Sequence, residues 1–490
     1  METVTSNLPL FVCLASLLAV IPIVLFRNQP NLREGATVLA GIAKLALILW
    51  MLPGVLDGKI YEFTFLEVVK GVPLVFRVDG FGMLFGLVAS ILWIPTSFYS
   101  MGYMRGLKEH GQTRFFSFFA ISLSATLGVA FAGNLLTLYV FYEMLSLATY
   151  PLVTHHQDKE ARSGGRTYLT YLLSTSIGFV LPAMVYCYFK SGQSLTFSDA
   201  SNWAATLSST EITVLLVLFV FGFAKAGVMP FHSWLPNAMV APTPVSALLH
   251  AVAVVKVGVF CIIRVFTGVF GTEFLQGIDV AYVISWIAAF TVLTSSLIAL
   301  TQDNLKRRLA FSTIGQLSYI VLGVSLLSPL GVTGSMLHIA MHACGKITLF
   351  FCAGAIYVAA HKKYISEIVG IGRRMPLTMT AFTIGSLSVI GLPVTGGLVS
   401  KWYLVMGTAE SGQIALLVVF LISSILNAAY FLPIAYQAFF KEPAADLAEV
   451  KEAPPLCLFP LCITASLSVI LFFYPKPLLS LVGLITGVTF

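Results

Sequence analysis

Thr213-Val-Leu-Leu-Val-Leu-Phe-Val-Phe-Gly-Phe-Ala-Lys225-Ala-Gly-Val-Met-Pro230-Phe-His-Ser-Trp-Leu-Pro236 begins as an apolar helix and then breaks. Gly222, Lys225, Gly227, Pro230 and Pro236 interrupt it before it is long enough to cross a bilayer. Backbone that leaves the helix at membrane depth is tolerated only where protein or an aqueous cavity satisfies it. A lysine inside such a break is costly to insert, so it marks ion or proton movement more often than packing. A second break lies at Gly385, Gly391, Pro393, Gly396 and Gly397, with Lys401 shortly after. Two Gly/Pro-interrupted spans in corresponding positions point to an inverted-repeat transporter.

Composition agrees with a membrane chain. Of 490 residues, 58% are hydrophobic and only 10% are charged, against about 25% charged in soluble domains. Each span needs about 20 mostly apolar residues. About fourteen such segments begin near Leu8, Ala36, Gly80, Thr113, Asn134, Thr167, Glu211, Thr243, Ala281, Ala310, Gly331, Pro376, Gly412 and Pro455. Their Leu, Ala, Gly, Phe and Ser content does not match the alternating strands of a membrane barrel. The expectation is an all-α polytopic bundle. Residues 1–112 would hold helices 1–3, and 113–270 a first five-helix repeat of helices 4–8. Residues 271–441 would hold the second repeat, helices 9–13, and 442–490 helix 14. The first segment follows Glu2 and no cation, unlike a secretory signal, and reads as an uncleaved helix.

The net charge of +7 sits in short loops beside spans, which favours topology over nucleic acid as its explanation. Basic clusters at Arg27/Arg33, Arg105/Lys108/Arg114, Lys159/Arg162/Arg166, Lys306/Arg307/Arg308 and Lys362/Lys363/Arg373/Arg374 follow odd-numbered spans. By the positive-inside rule, both termini then lie on the non-cytoplasmic side of what would be a prokaryotic inner membrane. The loop from Asp57 to Arg77 weakens this slightly, with Lys59, Lys70 and Arg77 balanced by Asp57, Glu62 and Glu67. Seven cysteines form no CxxC, and no iron–sulfur, haem or metal motif is visible, so no cofactor is expected in this chain.

Three stretches carry a resemblance. The first runs from Lys225 to Met239 and continues Ala241-Pro-Thr-Pro-Val-Ser-Ala-Leu-Leu-His250 to Lys256. The second is Gln302-Asp-Asn-Leu-Lys-Arg-Arg-Leu-Ala-Phe-Ser-Thr-Ile-Gly-Gln316. The third is Leu337-His-Ile-Ala-Met-His-Ala-Cys-Gly-Lys-Ile, with His338, His342 and Lys346. Together they resemble the antiporter-like subunits of respiratory complex I, membrane-bound hydrogenases and Mrp-type cation/proton antiporters. The chain as given ends soon after the fourteenth segment, where the most distal complex I subunit continues into a long lateral helix. Its terminal ionisable residue is lysine, where some relatives place glutamate.

The resemblance implies that Glu143 pairs with Lys225. Burial disfavours a charged lysine and a nearby carboxylate favours it, so moving the carboxylate would switch Lys225 between holding and releasing a proton. The plainer reading of Glu143 is a neutral acid bonded to a neighbouring helix. Lys256 has no charge within five residues and reads as a relay. His250, six residues earlier, is a shuttle or a hydrogen-bonded core histidine. His338 and His342 share a helix face; that spacing suits a metal too, but no third ligand is apparent. Lys346 extends the face, with snorkelling or capping as its alternative. Lys401 would be the outer exit, or else an interfacial lysine beside Trp402 and Tyr403. Lys44 remains unassigned.

The resulting expectation is a proton-translocating subunit of a multisubunit complex, with homologous and small hydrophobic membrane partners and redox subunits elsewhere. A redox-independent Mrp-type antiporter exchanging Na+ is the alternative. Two other classes are a solute carrier with alternating access and a structural anchor for a peripheral enzyme.

Overall fold

A computed structural model describes residues 2–197, 203–204, 206–447 and 449–490. The chain is mostly helical. Among the described residues, eleven helices are long and apolar enough to cross a membrane. They are α1 Leu8–Leu25, α2 Pro30–Leu56, α3 Gly80–Gly106, α4 Gln112–Ala130, α5 Leu135–Val153, α6 Lys159–Lys190, α8 Thr243–Phe270, α9 Val280–Thr301, α11 Pro329–Ala360, α14 Ile414–Phe440 and α15 Pro455–Phe473. Between them lie α7 Ser209–Gly222, α10 Leu305–Ser325, α12 Pro376–Ile390 and α13 Gly396–Glu410, with α16 Lys476–Thr486 last. The stretch after 441 therefore holds two helices where the sequence reading expects one.

Short polar side chains start the helices by taking backbone N–H groups that have no intrahelical partner. Asn134 accepts from Thr137 N at 2.8 Å, Asp158 from Ala161 N at 2.7 Å and Ser328 from Gly331 N at 3.0 Å. Ser208 and Glu211 cap α7 reciprocally. Both interrupted helices stop where the sequence breaks. Helix α7 ends at Gly222 and gives way to a single tight turn, Ala224–Ala226. Helix α12 ends at Gly391, whose φ of 89° suits glycine alone.

The segment from Asp57 to Arg77, read from the sequence as a charged loop, is instead part of a small sheet. Strand β2 (Lys59–Val69) pairs in parallel with β1 (Glu2–Thr5) and antiparallel with β3 (Val72–Val78), in register Tyr61↔Val78. The β-branched and aromatic run of β2 favours extended backbone. Lys70 and Gly71, the latter with φ 76°, make the two-residue turn of the hairpin.

The loops gather into two opposite rims. One holds the sheet, Asn134 against Pro73, and a bidentate pair from Arg264 to Asp79, both bonds 2.6 Å. Asp79 also caps α3 through Gly82 N at 2.8 Å. The other rim holds the basic clusters. There Glu34 takes Arg33 and Arg105, Arg114 reaches the His155 carbonyl, Lys306 reaches the Ala241 carbonyl, and Lys362 pairs with Asp446. Helix α8 is buried throughout its apolar stretch and forms the axis of the bundle, while α1, α2 and α15 lie at the periphery.

Candidate functional site: a buried line of lysine and histidine

The axis is where the ionisable residues converge. Lys225 is fully buried in the turn after α7. Its Nζ donates to the Tyr142 carbonyl at 2.7 Å and to Ser146 Oγ at 2.6 Å, and lies 3.0 Å from the Tyr142 ring centroid. The amine is thus held by a carbonyl, a hydroxyl and a ring face. The turn itself is fixed by the Trp234 indole, which donates to the Ala224 carbonyl at 2.9 Å. Helix α8 passes against it at Gly258, where an added Cβ would strike Ala226 N and the Lys225 carbonyl carbon. Gly258→Ala should therefore cost about 1–3 kcal/mol of overpacking. Thermal unfolding in detergent checks this, with Gly35→Ala, which lies within α2 and meets nothing within 4 Å, as the control. That variant gains helix propensity without a clash and should unfold at an equal or slightly higher temperature.

The Glu143–Lys225 pairing implied by the resemblance is not a direct contact, since no ion pair between them falls within 4.0 Å among the described residues. Tyr142 and Ser146 are one turn apart and face Lys225. Glu143 lies about 100° further round α5 and is half-buried, with Oε1 buried and without a partner. It opens into an outward apolar groove of about 560 Å³ lined by Phe118, Ile121, Tyr139, Val140, Met144 and Leu147.

Lys256, wholly buried on α8, meets His342 of α11, with Nζ 2.6 Å from Nδ1. His338 lies one turn back on the same face, its ring stacked on that of His342 with centroids 5.6 Å apart. His338 Nδ1 contacts Ser400 Oγ at 2.8 Å, and its Nε2 contacts Gln316 Oε1 at 3.0 Å. Ser400 is the neighbour of Lys401 on α13. Lys401 is 6% exposed whereas Trp402 is 60% exposed, so the lysine is not part of an interfacial aromatic belt. It donates to the Ile390 carbonyl at 2.8 Å, the free C-terminal end of α12, and lies 4.8 Å over the Tyr319 ring. That ring sits 5.8 Å from His338. Gly391 lacks the Cβ that would come within 2.5 Å of Lys401 Cδ.

Lys256, His342, His338 and Lys401 thus form one nearly continuous line. Lys346 continues the α11 face and is fully buried, donating to the Leu309 carbonyl at 3.1 Å and to Ser312 Oγ at 2.8 Å. Neither snorkelling nor capping describes it. His250 departs from the hydrogen-bonded alternative: among the described residues neither ring nitrogen has a hydrogen-bond partner, and the ring packs on Phe350 at 4.8 Å. It sits on a widened helical turn, Leu248–Val252, a geometry frequent at functional sites. Of the broken-helix residues, Gly227 (φ 68°) and Gly391 occupy the turns, Pro230 and Pro236 lie in the segment after Lys225, and Pro393 and Gly396 flank the start of α13. Sequence reasoning did not single out Tyr142, Ser146, Gln316, Tyr319 or Ser400. Their only signal is polar atoms inside apolar helices, which many structural serines and threonines share.

Known proteins share this arrangement of helices. Residues 132–427, more than half the chain, match the family described as NADH:quinone oxidoreductase/Mrp antiporter, transmembrane. NADH-quinone oxidoreductase subunit N of Desulforudis audaxviator is 36% identical over 366 residues, 73% of this chain and 70% of that protein. A probable K(+)/H(+) antiporter component of Rhizobium meliloti is 31% identical over 391 residues, 79% of this chain but only 38% of that protein. The fold also matches a chain of the Mrp complex from Dietzia at TM-score 0.88 and 22% identity, covering 98% of this chain and 96% of that one. A chain of an archaeal membrane-bound sulfane sulfur reductase aligns at TM-score 0.85 and 23% identity, covering 98% and 97%. The chain belongs to the NADH:quinone oxidoreductase/Mrp antiporter transmembrane family.

Proposed function

We propose that this chain is a proton-translocating subunit of a multisubunit membrane complex, driven by redox chemistry on partner subunits. The observation that carries this reading is the buried line from Lys256 through His342 and His338 to Lys401, with Lys225 beside its inner end. Each member can hold or pass a proton, and a bundle with no transport task would not retain so many costly groups. Protons enter near Lys225, cross by His250, Lys256 and the His338/His342 face beside Lys346, and leave near Lys401. The two broken helices, α7 and α12, are corresponding members of two inverted five-helix repeats in a fourteen-span topology. The rim of basic loops is cytoplasmic and both termini lie on the opposite side of a prokaryotic inner membrane.

The groove that exposes Glu143 supports a neighbouring membrane subunit on that face, because a half-buried carboxylate in an apolar surface needs a partner. A charge arriving on that partner would move Glu143 and so bias Lys225, without any redox group in this chain. Glu143→Gln keeps the shape and removes the charge. It should cut proton translocation by vesicles holding the native assembly at least tenfold, roughly 1.4 kcal/mol of barrier, with the assembly intact on native gels. Undiminished translocation would defeat the mechanism. Iron–sulfur and flavin content of that assembly separates the redox-driven reading from a redox-independent cation/proton antiporter, for which the Rhizobium meliloti relative speaks.

A further inference from the structure

Away from the axis, on the basic rim, four side chains with metal-binding atoms meet. Glu109 and His110 lie in the turn between α3 and α4, and His155 and His156 in the turn after α5. Glu109 Oε2 is 3.7 Å from His155 Nε2, 3.6 Å from His156 Nδ1 and 4.0 Å from His110 Nδ1. The ligand atoms of Glu109, His110 and His155 all lie within 4.8 Å of one another. Around a tetrahedral zinc ion with bonds of about 2.0–2.1 Å, neighbouring ligand atoms stand about 3.3 Å apart. Closing the Glu109 distances takes less than an ångström of movement each. The His156 ring, 5.6 Å from that of His155 and 6.5 Å from that of His110, lies outside this three-residue cluster and has to turn inward to join it.

A second observation points the same way. His155 is completely buried, yet neither of its ring nitrogens makes a hydrogen bond of ordinary geometry. A buried imidazole whose nearest polar neighbours, the His110 backbone and the Glu109 carboxylate, stand beyond good hydrogen-bond geometry is under-satisfied, and a bound cation would offset that cost. His156 also lines a polar cavity of about 440 Å³ with Asp158, Lys306 and Lys362, which gives an aqueous route to the cluster.

We propose that Glu109, His110 and His155 form a divalent transition-metal site, for zinc before other ions, which His156 completes by a side-chain rotation and which clasps the turn before α4 to the turn after α5. Three imidazoles and one carboxylate make a borderline donor set that suits Zn2+ and not Ca2+ or Mg2+. Because α5 carries Glu143, occupancy would fix one end of the helix that faces Lys225.

The test is equilibrium dialysis of the chelator-stripped, tag-free full chain in detergent against Zn2+, followed by Co2+ absorption spectroscopy. One equivalent of Zn2+ should bind, and Co2+ should give the intense visible bands of a four-coordinate nitrogen–oxygen site. His155→Gln should weaken binding by at least about a hundredfold, given that changes to the groups behind a ligand already cost roughly 10–100-fold. His110→Gln, at an exposed position where no burial is lost, should weaken it at least about tenfold with helicity unchanged. Stoichiometry and affinity unaltered in both variants, or no metal retained by the wild-type chain, would overturn the site.

Discussion

Lys225→Met should abolish proton translocation while leaving the protein as stable as before, or slightly more so. The side chain it replaces is wholly buried and held by a carbonyl, a hydroxyl and a ring face, with no carboxylate within 4.0 Å among the described residues. Burying an ammonium costs several kcal/mol, and replacing it by an apolar chain of similar volume is often neutral or stabilising. Methionine fills the space; the Tyr142 carbonyl and the Ser146 hydroxyl lose a donor, but both retain bonds within α5. Function and stability should therefore part company. Vesicle acidification falls to background, and the unfolding temperature in detergent stays level or rises. A variant that fails to assemble would give lysine a structural role instead.

Lys225→Arg should be as inactive as Lys225→Met. Arginine keeps the positive charge but does not give up its proton in proteins. If Lys225 were a fixed charge that orders α5, arginine would restore activity. If it releases a proton in each cycle, arginine stops the cycle at that step. The pair of variants separates the two roles by chemistry alone.

The ionisable residues are legible in the sequence because each one violates the expectation of its surroundings. A lysine in Ala-Val-Ala-Val-Val-Lys256-Val-Gly-Val is costly to insert, which is what draws attention to it. The breaks at Gly222–Pro236 and Gly391–Gly397 are legible for the same reason: glycine and proline in an apolar run end a helix. What is not legible is which residues complete the line. Gln316 and Ser400 bracket His338 from two other helices, and that relation depends on packing, which periodicity does not encode. The direction Glu143 faces is hidden likewise, because a glutamate one position from Tyr142 can turn inward or outward by a modest rotation of α5. The β2–β3 hairpin is masked by its charges. Glu62, Glu67 and Lys70 make it read as a loop, although Lys59-Ile-Tyr-Glu-Phe-Thr-Phe carries the alternation of a strand.

Asp79→Asn should destabilise the protein by about 3–5 kcal/mol. Arg264 is 7% exposed and has two bonds to this one carboxylate, so removing the charge strands a buried guanidinium. The same side chain caps α3 through Gly82 N, and the asparagine amide oxygen can keep that cap, so the loss falls on the ion pair alone. Burial by itself would raise the Asp79 carboxyl. The Arg264 charge and its hydrogen bonds, then the Gly82 N–H and Arg77, outweigh burial and hold it below the usual carboxylate range. A depressed folded-state value means that the stabilisation is complete above the unfolded value, about 3.9. It is lost only as pH falls through the lower folded value. The gap in unfolding temperature between wild type and Asp79→Asn should therefore stay constant from neutral pH to about pH 5 and narrow only below about pH 4. Adding Arg264→Gln should recover much of the loss, since the double variant leaves no buried charge unpaired. A gap that ignored pH down to denaturation, or a double variant no better than Asp79→Asn alone, would show that the ion pair does not hold this rim together.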